Sequence, residues 1–214
     1  MPTVTSPADQ KLVLGNVPWE MYTKLLRTFE SRRLRLTYDR GTLEIMTISF
    51  EHDCYGRFLG RLLITLTEEF NLPVRSGGST TLRRRKKLKG LESDNCYWIQ
   101  NEHLIRGKKR IILRVDPPPD VAIEIDITKS SLNRMRIYRA LRVPEVWRFD
   151  GKVVTFHILQ ADGNFKSETQ SRAFPGITPS DLLRFLEMFD QDEENAVIRT
   201  FRAWIRQQLG INKP

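Results

Sequence analysis

One apolar segment constrains the fold more than any other part of this sequence. Residues 120–128 read DVAIEIDIT, and three consecutive prolines at positions 117–119 precede them. Each proline fixes its own φ and disfavours the helical conformation in the residue before it, so the chain enters the segment extended. A near-continuous run of branched apolar residues is typical of a central strand that is covered on both faces. The segment therefore predicts a sheet buried between two layers.

Two carboxylates interrupt this strand. Glu124 and Asp126 are two residues apart, so their side chains should lie on one face of the strand. Buried carboxylates are costly unless they are paired or bind a metal. Pairing with arginine is one interpretation, and a site for Mg²⁺ or Mn²⁺ is the other, because hard oxygen ligands hold such ions. A third acid, Asp94, stands just before the apolar stretch at 96–100 and is either a site residue or a turn residue.

The rest of the chain alternates between helical and strand patterns. Apolar spacing predicts helices over 17–30, 51–70, 178–188 and 193–209, and one from Ser130 or Ser131, as the cap, to about residue 141. Strands are predicted over 34–38, 42–47, 96–100, 143–149 and 153–159, with two short strands between residues 73 and 82. The pattern predicts an α/β (α+β) fold in which helices flank a mixed sheet.

Length and composition favour one globular domain. With 214 residues and 40% hydrophobic residues the chain can build a core. We expect an arm over residues 1–14, a main domain over 15–190 and a C-terminal helix of the same domain over 191–214. Neither a membrane span nor a signal peptide is visible, so we expect a cytoplasmic protein without membrane association. Cys54 and Cys96 are too few for a disulfide scaffold or a four-cysteine zinc site, and we expect free thiols.

The charge balance favours a nucleic-acid partner. The chain has 35 Lys and Arg against 26 Asp and Glu, a net charge of +9. One dense basic run comprises Arg83, Arg84, Arg85, Lys86, Lys87 and Lys89. A second spans residues 106–110, with the sequence RGKKR. Contact with DNA phosphates is one interpretation of the first run, and an edge strand whose charges discourage sheet pairing is the alternative.

Several longer motifs together resemble a known family. They are RLTYDRGTLEIMT (35–47), EHD (51–53), RSGGSTTLR (75–83), GLESDNCYWIQNE (90–102), DPPPDVAIEIDITKSSLNR (116–134) and IYRALRVPEVWRFDG (137–151). These stretches resemble the Uma-type restriction endonuclease family, expanded in cyanobacteria, of the PD-(D/E)XK nuclease superfamily. The resemblance runs from about residue 19 to residue 185.

This resemblance implies a fold, a reaction and a set of site residues. The fold is of restriction-endonuclease type, with a central mixed sheet flanked by helices, and the reaction is metal-dependent hydrolysis of DNA. Asp94 matches the first metal-binding acid of the family and Glu124 the second, and Mg²⁺ or Mn²⁺ is the implied cofactor. In a nuclease of this kind Asp126, on the same strand, could be a further ligand. Glu44 and His52 match positions where the family carries a Glu and a His. A helix-terminal residue without a role at the site is the alternative for His52.

The chain departs from the superfamily at one position. A lysine is expected two residues after the second acid, where this chain has Asp126. The residue that corresponds to the substitute lysine of relatives, four positions before Tyr138, is Arg134, and Lys129 is a second candidate. Arginine keeps its proton, so Arg134 could stabilise phosphoryl charge but would be a poor general base.

This departure leaves three interpretations open. The first is an active nuclease with an altered site, which as a two-fold homodimer would suit duplex DNA. The second is a catalytically degenerate DNA-binding or mobile-element accessory protein of the same fold. The third is a structural protein that dimerises through its helices, in which the carboxylates form salt bridges and added Mn²⁺ changes nothing.

Overall fold

The computed structural model describes residues 9–30, 34–208 and 210. Strands in this part of the chain are β1 (Lys11–Leu14), β2 (Leu34–Asp39), β3 (Thr42–Thr47), β4 (Arg75–Ser76), β5 (Thr81–Arg84), β6 (Lys89–Glu92), β7 (Asn95–Trp98), β8 (Val121–Ile125), β9 (Glu145–Phe149), β10 (Val154–Leu159) and β11 (Phe165–Glu168). Helices are α1 (Trp19–Thr28), α2 (Phe50–Glu69), α3 (Glu102–Ile105), α4 (Arg134–Leu141), α5 (Pro179–Phe189) and α6 (Glu194–Gln208), and a 3₁₀ turn spans Arg85–Lys87.

A six-stranded mixed sheet forms the centre of the fold. Its order is β11-β10-β9-β8-β7-β4. Strands β8 and β9 pair in parallel, and the other neighbouring pairs within this sheet are antiparallel. Every residue of β8 is buried. The predicted central strand and the mixed α+β architecture of restriction-endonuclease type are therefore confirmed.

A second, antiparallel sheet was not expected. Its five strands have the order β1-β3-β2-β6-β5. The predicted hairpin of β2 and β3 lies inside it, closed by Gly41 at a φ of 93° that favours glycine. Of the expected N-terminal arm, residues 1–8 lie outside the described residues. Residues 11–14 are not a loose arm, because they form β1 and pair with β3.

The two sheets and the helices stack in layers. One face of the six-stranded sheet packs against α2, α5 and α6, in a core that includes Leu59, Ile123 and Phe201. The other face packs against α4 and the five-stranded sheet, where Tyr138 joins the core. Helix α1 covers the far side of the five-stranded sheet through residues such as Tyr22. Strand β8 consequently has packed layers on both faces, which its apolar sequence requires.

Helix α4 begins later than the sequence pattern indicated. The expected cap was Ser130 or Ser131, whereas the N-cap is Asn133, whose side chain accepts a hydrogen bond from the backbone N–H of Arg136 at 3.0 Å. The two serines bind a carboxylate of the second sheet instead, which removes them from the capping position. Arg134 is thus the first residue of the helix, not a residue one turn inside it.

The remaining differences concern short elements. Strands β6 and β11 and the four-residue helix α3 were not predicted.

Cys54 is half-buried and Cys96 is buried, and both thiols are free, as expected. Among the helices of the described residues, none combines the length and the hydropathy needed to cross a lipid bilayer.

Candidate active site

The two family-matched acids come together through antiparallel strand pairing. Asn95 of β7 pairs with Ile123 of β8, so Asp94 and Glu124 are next in register. The side chains of both acids are only 6% exposed. The backbone N–H of Ile125 donates a 2.8 Å hydrogen bond to Asp94 Oδ2, which fixes this carboxylate to the end of β8. Neighbouring strands therefore deliver two buried carboxylates to one place.

Glu124 is bound by two side chains of α4. Its carboxylate forms an ion pair with Arg134, whose Nη2 lies 3.0 Å from Oε2, and the hydroxyl of Tyr138 donates to Oε2 at 2.7 Å. Arg134 also donates from Nη1 to Thr37 Oγ1 at 2.5 Å and from Nη2 to the carbonyl oxygen of Glu92 at 2.7 Å. The guanidinium thus joins both sheets, because Thr37 and Glu92 belong to the five-stranded one.

Burial and charge set the protonation of this group. Burial raises the pKa of Glu124, and the charge of Asp94 adds to that rise, whereas the guanidinium of Arg134 opposes it. For Arg134, burial alone would lower the pKa, but the negative charge of Glu124 outweighs it and raises the pKa further above its ordinary value. Arg134 is therefore a permanent cation that can stabilise negative charge but cannot accept a proton.

Asp94 forms a second buried network with His52 and Asp9. The imidazole Nε2 of His52 lies 3.0 Å from Asp94 Oδ1, and its Nδ1 lies 3.0 Å from Asp9 Oδ2. Burial alone would lower the pKa of His52, but the hydrogen bonds and charges of the two acids raise it to about 9. For Asp94, burial favours a higher pKa, but the hydrogen bond from His52 outweighs it and lowers the pKa. At neutral pH a protonated imidazole therefore holds Asp94 ionised.

This network predicts a pH-dependent stability. The pKa of His52 rises from 6.5 to about 9 on folding, so its contribution is complete below pH 6.5 and is lost as the pH rises through 9. We expect the free energy of unfolding to fall by roughly 3 kcal/mol over that interval. Urea titrations at pH 6 and pH 9 measure this change. His52→Gln should abolish most of the decrease, whereas His103→Gln, at an exposed position, should leave it in place. An unchanged decrease in His52→Gln would contradict the assignment.

Glu44 organises the segment between β8 and α4. Its Oε1 accepts a hydrogen bond from the hydroxyl of Ser130 at 2.6 Å, and its Oε2 accepts one from the backbone N–H of Ser131 at 2.6 Å. Glu44 is only 1% exposed. These contacts tie the loop that leads into α4 to strand β3, where Glu44 pairs with Thr37, the residue that binds Arg134.

Asp126 and Lys129 do not contact the acid pair through the bonds that they form. Arg148, which pairs with Glu124 across β8 and β9, binds Asp126 Oδ2 from its Nε at 3.0 Å. The side chain of Lys129 is exposed, and its backbone carbonyl accepts a hydrogen bond from the ammonium of Lys11 at 2.7 Å. The structure therefore brings together Asp94, Glu124, Arg134 and His52, and it places Asp126 and Lys129 at the edge of this group.

The predicted basic run divides into three parts. Arg85, Lys86 and Lys87 form an exposed 3₁₀ turn, and Arg83 and Arg84 are half-buried at the end of β5, the edge strand of the five-stranded sheet. Lys89 is buried, and its ammonium forms an ion pair with Asp39. Lys89 therefore stabilises the sheet, and the cationic surface of this run consists of residues 83–87.

Four residues near the acids were not predicted as site residues from the sequence. They are Tyr138, which binds Glu124, Asp9, Thr37, and Arg35, whose Nε lies 3.7 Å from Asp94 Oδ1. Arg35 and Thr37 alternate with apolar residues along β2, so the alternation already places both on the face opposite α1. For Asp9 no local pattern exists, because its contact with His52 spans 43 positions of the chain.

The donor set suits a small hard cation. Among the described residues, no group of three or more His, Cys, Asp and Glu side chains is arranged to hold a metal ion. Mg²⁺, however, is commonly bound by one or two carboxylates together with waters and substrate phosphates. An ionised carboxylate offers about four lone-pair positions, and the hydrogen bonds of Asp94 and Glu124 leave part of them unused. Two carboxylates of the right kind are therefore present.

A comparison with known proteins shows which family the chain belongs to. A family model, described as "Uma2: Putative restriction endonuclease", matches residues 19–188. This chain belongs to the Uma2 family. The match spans most of the chain and contains Asp94, Glu124, Arg134 and His52, whereas Asp9 precedes it. No curated protein matches the chain. Membership in Uma2 suggests nuclease activity and DNA as the substrate.

Proposed function

We propose that this Uma2 protein is a metal-dependent endonuclease that hydrolyses phosphodiester bonds of DNA. The observation that carries the proposal is the buried pair of Asp94 and Glu124, adjacent in register on two strands, with the guanidinium of Arg134 against it. A buried pair of acids beside a fixed cation provides both ligands for a divalent cation and a partner for phosphate. All three residues lie inside the family match.

Asp94 and Glu124 would hold Mg²⁺, or Mn²⁺, through their carboxylates. When bound, such an ion polarises the phosphoryl oxygen and lowers the pKa of a coordinated water. His52 keeps Asp94 charged and oriented, because its protonated ring binds Asp94 on one side and Asp9 on the other. His52 is therefore a positioning residue. In this role it acts through Asp94 and need not touch the substrate.

Arg134 takes the role of the lysine that the superfamily uses. Its guanidinium is oriented by Thr37 and by the carbonyl of Glu92, so it is in place when charge develops on a phosphoryl oxygen. One N–H of Nη1 is not used by these contacts or by the ion pair with Glu124, and it is the donor available to a phosphate while that ion pair is kept. Since Arg134 keeps its proton, the attacking water must lose its proton to another base, such as solvent or a phosphate oxygen.

Plasmid cleavage tests this proposal. Supercoiled plasmid incubated with the protein should be nicked or linearised in Mg²⁺ or Mn²⁺ and should remain intact in EDTA. Glu124→Gln should lose this activity, because an amide is a much weaker metal ligand than a carboxylate. Glu187→Gln makes the same chemical change at an exposed position of α5 and should cleave normally. Cleavage that persists in EDTA or in Glu124→Gln would contradict the proposal.

A specific observation favours a second candidate, a catalytically degenerate DNA-binding protein. Glu124 is already engaged by Arg134 and Tyr138, and a carboxylate in a tight ion pair is less available to a metal. In that case the protein should bind DNA in EDTA, with an affinity that falls steeply with salt, and should leave plasmid intact in every metal. Binding without cleavage would therefore select this candidate.

A further inference from the structure

A large cleft lies next to the acid pair. Its volume is about 1350 Å³, and it opens between α1, the end of β5 with the following 3₁₀ turn, and the segment of residues 108–114. Residues 83–87 supply one basic wall, and Lys108, Lys109 and Arg110 supply a second. The fold therefore places the two basic runs of the sequence, which are separated along the chain, in the lining of one cleft.

Two arginines of the first wall have donors without partners. Arg83 Nη1 and Arg84 Nε are buried atoms for which no hydrogen-bond acceptor exists among the described residues. A buried donor without an acceptor is destabilising, and more so when it belongs to a charged group. The acids that line the cleft are Glu20, Glu30 and Glu92, and Glu20 is already paired with Arg85 at 2.7 Å. The lining of the cleft thus has more Lys and Arg side chains than acids, an excess of positive charge that favours an anion.

The cleft borders the candidate active site through two of its lining residues, Arg35 and Glu92. Arg35 Nε lies 3.7 Å from Asp94 Oδ1, and the carbonyl of Glu92 accepts the hydrogen bond from Arg134. An anionic chain bound in the cleft would therefore run toward Asp94 and Arg134.

The lining of the cleft is apolar as well as basic. Leu26, Phe29 and Ile111 are half-buried along its sides, and Ile112 is 46% exposed. A duplex presents phosphates on the outside and hides the faces of its bases, whereas a single strand presents both. Proteins that bind single strands accordingly combine a cationic groove with apolar or aromatic contacts for the bases. The mixed lining of this cleft matches a single strand better than a duplex.

We propose that the cleft binds single-stranded DNA and leads it to Asp94 and Glu124. The substrate class would then be single-stranded DNA, or duplex DNA with an unpaired segment, and an uninterrupted duplex would bind more weakly. This inference rests on the proposed nuclease function for its biological meaning. The preference between the two forms of DNA depends on the cleft alone, so binding can test it without cleavage.

Fluorescence anisotropy in EDTA provides the test, since no metal-dependent cleavage occurs there. The probes are a labelled twelve-nucleotide oligothymidine and a labelled twelve-base-pair duplex. We expect the single strand to bind at least tenfold more tightly at moderate salt. Equal or tighter binding of the duplex would overturn the proposal, and so would the absence of binding to either probe. The plasmid assay is independent of these results, so a failure here is distinguishable from a failure of the nuclease function.

Variants on the two walls identify the binding surface. Arg83→Ala/Arg84→Ala removes the unpartnered donors, and Lys109→Ala/Arg110→Ala alters the second wall at exposed positions, where folding is at less risk. Each should weaken single-strand binding by tenfold or more, and each lost phosphate contact should reduce the slope of log affinity against log salt by about 0.7. Lys152→Ala/Lys166→Ala removes the same charge outside the cleft lining and should bind almost normally. Equal weakening by all three variants would show that net charge alone controls binding, and it would overturn the assignment to the cleft.

Discussion

Glu124→Leu should lower the free energy of unfolding by about 3–5 kcal/mol, since it leaves one member of a buried ion pair without its partner. Arg134 would remain in the core with its side chain only 7% exposed. Guanidinium cannot release its proton to relieve this burial. The hydroxyl of Tyr138 would lose its acceptor as well. The ion pair of Glu124 and Arg134 is thus also a condition for stable packing between the two sheets.

Removal of the arginine of this ion pair should lower the free energy of unfolding by less than removal of the acid. In Arg134→Met the buried carboxylate of Glu124 can take up a proton, because burial and the charge of Asp94 already raise its pKa. The loss of unfolding free energy in Arg134→Met should therefore become smaller as the pH falls from 7 to 5, whereas the loss in Glu124→Leu should not. In the double variant neither charge of this ion pair remains. Its loss of unfolding free energy should therefore be smaller than the sum of the losses of the two single variants.

Urea unfolding of the four proteins in this cycle measures the coupling. Asp53→Ala is the matched control, because it breaks a more exposed i,i+4 ion pair with Arg57. Such pairs contribute only about 0.3–0.5 kcal/mol. A loss for Glu124→Leu no larger than that of the control would show that Glu124 and Arg134 do not depend on each other.

Much of the fold was predictable because its signals are local. The three prolines and the branched residues of 120–128 indicate a buried strand wherever the segment lies. The hairpin around Gly41 and the helix at 50–69 follow from turn chemistry and from apolar spacing. The five-stranded sheet was missed, because β6 is a short strand that continues a basic run without apolar alternation. Its pairing with β2 depends on residues about 50 positions away.

The candidate site was predictable only in part, because some of its contacts join residues that are far apart along the chain. Family resemblance indicated Asp94, Glu124 and Arg134 as candidates, and the structure places Arg134 against Glu124. The cap of α4 could not be foreseen, since Ser130 and Ser131 bind Glu44 from another sheet. Contacts of this kind require the complete fold, because no local propensity distinguishes a serine that caps a helix from one that binds a distant carboxylate.

Arg134→Ala should slow cleavage by about 100-fold or more if its guanidinium stabilises the phosphoryl group in the transition state. Arg134→Lys should retain or increase activity, because it restores the group that the superfamily uses and keeps a cation beside Glu124. Rates of plasmid nicking at saturating Mn²⁺ measure the effect, because saturation removes the influence of any change in Mn²⁺ affinity that follows from loss of the ion pair with Glu124. Arg136→Ala, at an exposed position of the same helix, is the matched control and should cleave at the normal rate.

Folding must be separated from catalysis in this series. Arg134→Ala also breaks the buried ion pair, so thermal melts must show that it remains folded at the assay temperature, whereas Arg134→Lys keeps the pair and serves as the structural reference. If folded Arg134→Ala cleaves normally, or if Arg134→Lys is as inactive as Arg134→Ala, the guanidinium does not replace the missing lysine. Lys129 would then be the next candidate, because its exposed side chain follows β8 by four residues and could turn toward a bound phosphate.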